Sequence, residues 1–282
     1  MTKILVSFLL AFSVTSSFAQ DRICAMGDWG TGSDDQKKVA RAMNDYGCNH
    51  IILLGDNFYE RGVDSVYDSK WQDYFENIYR DLLDQGAYFF VSLGNHDYKG
   101  SPEAQVEYSR INPQWILPSR FYAYKWGEDC FFALDTNERF EEQAEWLQSL
   151  LTNNYCRHRI AFGHHPIISS GRHGNDSGEV NEYIRPALSG VELYLAGHDH
   201  HFSDEGNVLT NSRDSESPSF RQLVVGTGGA SPRTGACQSG GDCRFFAAEY
   251  GFVALDLLED RIEFSFFTKR GDRLYSSTVW SM

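Results

Sequence analysis

Short apolar runs alternate with amphipathic stretches over residues 23–196 of the chain. The runs are rich in Ile, Leu, Val and Phe, as buried strands are, whereas the stretches between them repeat apolar residues at helical spacing. The predicted strands are residues 23–26, 50–54, 88–93, 121–126, 130–134, 159–162 and 191–196. The predicted helices are residues 36–46, 71–83, 140–151 and 179–188.

The last part of the chain changes to strands joined by turns. These predicted strands are residues 220–225, 250–257, 262–267 and 274–279. Alternating strands and helices followed by a strand-rich end predict an α/β protein whose helices pack outside its sheets. The polar stretch 203–219 is expected to be the least ordered. Because the sequence has no internal repeat and no Pro-rich linker, residues 20–282 are predicted to form a single domain.

The first 19 residues differ from the rest of the chain. Lys3 is their only charge, residues 4–14 are apolar, and Ser17-Phe18-Ala19 is a small-x-small cleavage pattern. These features predict a secretory signal peptide that is cut before Gln20. A membrane span needs about 20 apolar residues, more than this run offers. We therefore expect a secreted or periplasmic protein that is not anchored in a membrane.

Composition and charge exclude several classes of protein. The chain has 282 residues, of which 41% are hydrophobic and 15% aromatic, so it can fill a core and is not a disordered protein. Its 39 Asp and Glu outnumber its 25 Lys and Arg, which gives a net charge of −14 and argues against a nucleic-acid partner. An acidic chain can still act on anionic substrates if a bound metal supplies positive charge.

Six cysteines follow the predicted cleavage site. Cys237 and Cys243 share one Gly- and Ser-rich loop and are predicted to form a disulfide. Cys24 and Cys130 fall inside apolar strand-like runs, where we expect buried free thiols. The spacings lack the paired C-x-x-C pattern of a structural zinc site.

Five of the predicted strands end in a glycine that is followed at once by residues of metal-ligand type. The five segments are Gly27-Asp28-Trp29-Gly30, Gly55-Asp56-Asn57-Phe58-Tyr59, Gly94-Asn95-His96-Asp97, Gly163-His164-His165 and Gly197-His198-Asp199-His200-His201. Strand ends of this kind form the ligand crevice of open α/β sheets. A single Gly-Asp is more often a turn, and a single His is more often structural. Seven of the nine histidines lie in or near these segments, however, and the ordered set predicts a metal site.

The ordered set of five segments resembles the purple acid phosphatases, which belong to the calcineurin-like metallophosphoesterase superfamily. It is most similar to their small tartrate-resistant form, and the resemblance extends from about residue 23 to the C-terminus. The resemblance implies a layered α/β/β/α sandwich of two mixed β-sheets flanked by helices. It also implies a secreted, metal-dependent acid phosphatase that hydrolyses phosphate monoesters.

The resemblance further implies a dinuclear metal centre. The ligands of the first metal would be Asp28, Asp56, Tyr59 and His200. Those of the second would be Asp56, which bridges both metals, Asn95, His164 and His198. Charge counting agrees, since two carboxylates and a phenolate suit Fe(III), whereas the second set suits Fe(II), Zn(II) or Mn(II). In the family, the tyrosine that corresponds to Tyr59 gives the purple colour, and related phosphodiesterases and protein phosphatases lack it. The alternative is that Tyr59 only packs at a loop and binds no metal.

Two further histidines are candidates for catalysis. His96 directly follows the candidate ligand Asn95, and His173 stands where the tartrate-resistant enzymes have a substrate-facing histidine. Either side chain could bind phosphate oxygens or protonate the leaving alcohol, while water made acidic by the metals supplies the attacking hydroxide. His165 and His201 also neighbour candidate ligands, but we leave them out of the catalytic set.

Alternatives to a monoesterase remain open at this point. A phosphodiesterase or a nucleotide-processing enzyme would share the same metal core, because loops such as 101–118 and 226–243 select the leaving group. Loop 226–243 could equally be an inert surface loop. A different class is a non-hydrolytic iron- or phosphate-binding protein or a redox protein. The expected partners are small phosphate esters and, as a further class, phosphoproteins, with no nucleic acid and no membrane; the chain is expected to be a monomer.

Overall fold

Two mixed β-sheets lie face to face, and helices cover their outer sides. The computed structural model describes residues 10–11, 21–153, 155–237 and 242–281. The predicted signal peptide, residues 1–19, lies outside the described residues apart from Leu10–Ala11. The predicted α/β/β/α sandwich is confirmed.

Fifteen strands build the two sheets of the described chain. In chain order they are β1 (Leu10–Ala11), β2 (Ile23–Met26), β3 (His50–Leu54), β4 (Tyr88–Ser92), β5 (Trp115–Ile116), β6 (Tyr122–Trp126), β7 (Asp129–Ala133), β8 (Arg159–Phe162), β9 (Leu193–Ala196), β10 (Phe202–Leu209), β11 (Ser219–Val225), β12 (Phe245–Ala247), β13 (Gly251–Leu257), β14 (Arg261–Thr268) and β15 (Arg273–Trp280). The eight-stranded sheet has the order β1-β6-β7-β8-β9-β11-β10-β12, and the seven-stranded sheet has the order β15-β14-β13-β2-β3-β4-β5. Strands β2 to β5 are parallel to one another, as are β7, β8, β9 and β11.

Predicted helices 36–46 and 140–151 are each slightly longer in the structure, whereas 71–83 and 179–188 are each divided into two short helices. The α-helices are α1 (Asp34–Tyr46), α2 (Arg80–Asp84), α3 (Pro102–Tyr108), α4 (Phe140–Asn153) and α5 (Arg185–Ala187). Trp71–Glu76 and Val180–Ile184 are π-helical, and Asp97–Lys99 is a 3₁₀ turn. None of the described helices has both the length and the apolar character that crossing a bilayer requires.

Helix α1 illustrates how local sequence sets an element. Ser33 is extended at the N-cap, and its hydroxyl accepts a hydrogen bond from the Gln36 amide at 3.2 Å. Gly47 ends the helix in the left-handed region, with φ of 86°. Val39 and Met43, one turn apart, are buried against the sheet that contains β2.

The expectation that 203–219 is the least ordered stretch is wrong for residues 203–209, because they belong to the largely buried strand β10. Its polar side chains have buried partners. Asp204 accepts hydrogen bonds from the Arg221 guanidinium on the neighbouring strand β11, and Glu205 accepts them from the amide and hydroxyl of Ser170. A polar stretch can therefore be core when its partners come from distant parts of the chain.

The prediction that Cys24 and Cys130 are free thiols is also wrong. Cys24 is bonded to Cys48 and Cys130 to Cys156, with Cα–Cα distances of 5.9 and 5.6 Å. Each partner lies just before the strand that pairs in parallel with the cysteine's own strand. That pairing brings the two halves of each bond together. The predicted Cys237–Cys243 disulfide is confirmed.

Removing the Cys24–Cys48 bond by a double change to alanine is expected to lower the free energy of unfolding by about 3 kcal/mol. The bond closes a loop with a sequence separation of 24, and a loop of that length restricts the unfolded chain strongly. Denaturant unfolding of the two forms measures the loss. The matched Cys237→Ala/Cys243→Ala variant, with a separation of only 6, should lose about 1 kcal/mol less. Equal losses would contradict the loop-length account.

Candidate metal centre

The ends of five parallel strands from both sheets meet at one place. Strands β2, β3 and β4 end beside β8 and β9 of the other sheet, and backbone hydrogen bonds join their ends. The Asp28 amide donates to Gly55 O at 3.0 Å within one sheet, and the Gly197 amide donates to His164 O at 2.9 Å within the other. Between the sheets, the Gly27 amide donates to Val225 O at 2.7 Å. All seven candidate ligands are brought together here, as the contacts below describe.

Glycines leave the space that the candidate ligands occupy. A Cβ on Gly94 would overlap the amide and carboxylate of Asp56. A Cβ on Gly55, whose φ is 80°, would lie 2.7 Å from His164 Nδ1. The glycines at the strand ends are thus required by the close approach of side chains, and not only by the turn.

Several candidate ligands have an unusual backbone conformation. Asp28, Asp56 and His198 have φ of 56°, 49° and 68°, in the left-handed region that most side chains avoid. Among the described non-glycine residues only Arg139 shares this feature. Such strain persists where the surrounding structure holds a side chain for function, which marks these strand ends as a functional site.

One group of donor atoms surrounds the hydroxyl oxygen of Tyr59. This hydroxyl oxygen lies 2.8 Å from Asp28 Oδ1, 2.9 Å from Asp56 Oδ2 and 3.2 Å from His200 Nε2, so its one proton can be donated to either carboxylate. His200 Nε2 is also 3.2 Å from Asp28 Oδ1. These four side chains are the predicted ligands of the first metal.

A second group surrounds the side-chain oxygen of Asn95. Asn95 Oδ1 lies 3.1 Å from His164 Nε2 and 3.1 Å from His198 Nδ1, and these two nitrogens are 3.2 Å apart. His164 Nε2 is also 3.4 Å from Asp56 Oδ1. Asp56 therefore turns one oxygen to each group, as a bridging carboxylate would.

Backbone contacts hold these side chains in place. His164 Nδ1 lies 2.9 Å from the carbonyl of Leu54, which leaves its Nε2 to face Asn95 and Asp56. The His198 amide donates to Asp28 Oδ2 at 2.8 Å, and the His96 amide donates to Asp56 Oδ1 at 2.7 Å. The orientation of the donors is thus built into the fold.

The electrostatics of the site call for a cation. Burial, together with the negative charges of Asp28 and Asp56, raises the pKa of the Tyr59 hydroxyl far above its usual range. Burial would also raise the pKa of Asp28, but the hydrogen bond from His200 and the charge of His164 outweigh it and hold that pKa low. Burial and the neighbouring His164 lower the pKa of His198, which keeps its imidazole neutral. Two buried carboxylates, a phenol and a neutral imidazole form a donor set that fits bound metal ions.

Four further histidines near the site separate into two kinds. His96 and His173 line the cavity above the donors; His96 Nε2 is 4.0 Å from Asp56 Oδ2, and the ring of His173 is 4.3 Å from that of His198. His165 is half-buried and does not line that cavity; its Nδ1 lies 2.8 Å from Thr136 Oγ1, and partial burial beside His164 lowers its pKa to about 3. His201 is buried with Nε2 3.0 Å from Ser203 Oγ.

The sequence did not reveal a buried carboxylate that supports the site. Asp97 accepts hydrogen bonds from the amides of Gly94 and Asn57 at 2.8 and 3.1 Å and from the Gln105 side chain at 2.8 Å. Burial and the charge of Asp56 raise its pKa to about 7. Asp97 thus links the strand end that carries Asn95 to the one that carries Asp56. Its position in Gly94-Asn95-His96-Asp97 is the signal that was available in the sequence.

The cavity over the donors has a volume of about 520 Å³. Part of loop 226–243 forms one wall through residues 229–233, so this loop is not an inert surface loop. Loop 101–118, which was expected to select the leaving group, contributes no residue to the described lining; it folds into α3 and β5 instead. The lining also includes residues outside the predicted loops and ligand set, namely Thr31, Ser33, Glu60 and Tyr250.

Comparisons with known proteins agree with this geometry. The family model of the calcineurin-like phosphoesterases matches residues 21–202. Tartrate-resistant acid phosphatase type 5 of Homo sapiens is 31% identical over 71% of this chain and 75% of its own length. Purple acid phosphatase 17 of Arabidopsis thaliana is 34% identical over 65% of this chain and 64% of its own. Purple acid phosphatase PPD1 from yellow lupin (Lupinus luteus) seeds has the same fold, with a TM-score of 0.71 at 16% identity, covering 93% of this chain and 54% of the lupin chain.

Proposed function

The chain belongs to the calcineurin-like phosphoesterases and, among them, to the purple acid phosphatases; from this premise we propose that it is a secreted or periplasmic enzyme that hydrolyses phosphate monoesters at an Fe(III)–M(II) pair. Metal-dependent phosphatase activity follows from the family. The observation that carries the finer proposal is the position of Asp56. Its two carboxylate oxygens face Tyr59 and His164, one in each donor group.

The charge of each donor group supports a different ion. Asp28, Asp56 and Tyr59, with His200, offer hard anionic oxygens that suit Fe(III). Asp56 with Asn95, His164 and His198 suits Fe(II), Zn(II) or Mn(II). When bound, such a pair neutralises the charge of a phosphoryl group and lowers the pKa of water.

His96 and His173 are proposed to act on the substrate from the cavity wall. His96 Nδ1 lies 2.7 Å from the carbonyl of Glu60, while its Nε2 lies 4.0 Å from Asp56 Oδ2 and 3.1 Å from Lys99 Nζ. A histidine in that position can hold a phosphate oxygen or pass a proton to the leaving alcohol. His173 lies beside the ring of His198 and can contact the same phosphate.

The disulfides support the proposed location outside the cytoplasm. Three bonds join all six cysteines, and bonds of this kind form and persist in oxidising compartments. Together with the predicted signal peptide, they favour export.

The test compares an aryl phosphate monoester with the corresponding diester at mildly acidic pH, alongside metal analysis. We expect two metals per chain, faster turnover of the monoester, and loss of turnover when a chelator removes the metals. Faster turnover of the diester would favour the phosphodiesterase alternative. A metal-loaded protein that turns over neither substrate would favour a non-hydrolytic role.

Replacing Tyr59 with phenylalanine is expected to abolish the visible absorption of the iron-loaded protein. A phenolate bound to Fe(III) gives the family its colour, and phenylalanine offers no oxygen in its place. The measurement is the absorption spectrum together with the metal content. Tyr67→Phe is the matched control, since that side chain is 90% exposed and should leave the spectrum unchanged. A coloured Tyr59→Phe protein would remove Tyr59 from the ligand set.

A further inference from the structure

Arg233 is a cation in the wall of the cavity over the candidate metal centre. Its backbone N–H donates to the carbonyl of His200 at 2.7 Å, which fastens its main chain to a candidate ligand. Pro232 precedes it and restricts the loop conformation. The half-buried side chain is therefore held beside the site by the backbone of its loop.

Within the described part of the chain, the guanidinium of Arg233 contacts a histidine and no carboxylate. Its Nη1 donates to His173 Nε2 at 3.1 Å. Arg157 and Arg221 illustrate the usual arrangement, in which a guanidinium is paired with Asp or Glu. No ion pair within the described residues includes Arg233, although the chain has a net charge of −14. The remaining N–H groups of Arg233 are thus available to an anion in the cavity.

His173 holds this guanidinium next to the donor atoms. The His173 amide donates to Asp199 Oδ1 at 3.2 Å, and the other carboxylate oxygen of Asp199 accepts a hydrogen bond from the Ser169 hydroxyl at 2.5 Å. The ring of His173 is 4.3 Å from the ring of His198. Arg233 and His173 therefore present a positive charge and hydrogen-bond donors on one side of the candidate metal centre.

We propose that Arg233 determines specificity: its guanidinium binds a terminal oxygen of the substrate phosphate and makes the cavity prefer monoesters to diesters. This inference rests on the proposed function of the site. A monoester has one more terminal oxygen than a diester and carries up to one more negative charge. Guanidinium groups bind phosphate oxygens through short, charge-assisted hydrogen bonds. In a diester, the second ester group takes the place of the oxygen that Arg233 would bind.

Arg233→Gln tests the proposal through rates and through binding. We expect kcat/KM for an aryl phosphate monoester to fall by about 10- to 100-fold, the loss typical of one charged hydrogen bond. The value for the matched diester should stay within about threefold, so the ratio of the two rates should fall. The dissociation constant for inorganic phosphate, measured by calorimetry on the metal-loaded protein, should rise by a similar factor.

Two further variants separate charge from structure. Arg233→Lys keeps the charge without the planar fork and should recover part of the monoester rate and part of the phosphate affinity. Arg213→Gln is the matched control, because Arg213 is exposed in the segment before β11 and should leave both rates unchanged. Metal content and thermal unfolding of each variant show whether the site and the fold survive.

The outcomes distinguish this inference from the proposed function. Equal losses for both esters, or an unchanged phosphate affinity in Arg233→Gln, would overturn the role of Arg233 even if the wild-type protein is a monoesterase. Conversely, a wild-type protein that hydrolyses neither ester would refute the proposed function. In that case a weaker affinity for phosphate in Arg233→Gln would still support Arg233 as the phosphate-binding residue.

Discussion

Asp56→Asn is expected to lower kcat/KM for a phosphate monoester by about 10³-fold or more, because a contribution of several kcal/mol from the metal pair is lost. Asp56 Oδ2 accepts a hydrogen bond from Tyr59, and Oδ1 accepts one from the His96 amide and faces His164. Asparagine removes the negative charge shared by the two donor groups. It also places N–H donors where an acceptor is needed. Elemental analysis measures the metal content of the variant, and steady-state kinetics on the same preparation measure its kcat/KM.

Asp214→Asn is the control for this change. Asp214 is exposed, and its Oδ1 accepts a hydrogen bond from the Glu216 amide in a turn that asparagine can also form. That variant should keep its metals and its rate. If Asp56→Asn bound two metals and turned over at the wild-type rate, Asp56 could not be the bridging ligand.

Trp29→Ala is expected to lower the free energy of unfolding by about 3–5 kcal/mol, the cost of emptying a large buried site. Trp29 is fully buried and packs against the rings of Phe58, Phe75 and Tyr79 at centroid distances of 5.5–6.1 Å. Its Nε1–H donates to Asn57 Oδ1 at 2.9 Å, so truncation also leaves a buried oxygen without its donor. Denaturant unfolding measures the loss, and the melting temperature should fall by roughly 10 °C.

Trp280→Ala provides the comparison for the same chemical change at the surface. Trp280 is 65% exposed and contacts the Arg261 guanidinium, so its removal should cost no more than about 0.5 kcal/mol. Similar losses for the two variants would show that the aromatic cluster around Trp29 does not stabilise the fold as its packing indicates.

The strand ends and their candidate ligands could be predicted because a few consecutive residues indicate each of them. A buried strand such as 50–54 is a continuous apolar run, and Gly55 followed by Asp56 marks both its end and its chemistry. The predicted bounds of this strand and of 23–26 are those of the structure. The meeting of five such ends follows from the parallel order of the strands, which the alternation with helices indicates.

The features that were missed depend on partners far apart in the chain. Nothing near Cys24 in the sequence indicates Cys48, because the two meet only when β2 and β3 pair. Strand β10 is polar in sequence, and it is buried because Arg221 neutralises Asp204 across the sheet. Arg233 likewise belongs to a Gly-rich loop whose course over the cavity is set by tertiary contacts.

The candidate ligands divide between the two layers of the sandwich. Asp28, Asp56, Tyr59 and Asn95 follow strands of the seven-stranded sheet, whereas His164, His198 and His200 follow strands of the eight-stranded sheet. Ions coordinated by ligands from both sheets would cross-link the two layers and restrict movement of one sheet relative to the other. The distance between the ions would in turn depend on how closely the two sheets pack. A substitution in the core between the sheets could therefore lower the rate of hydrolysis without contacting any ligand.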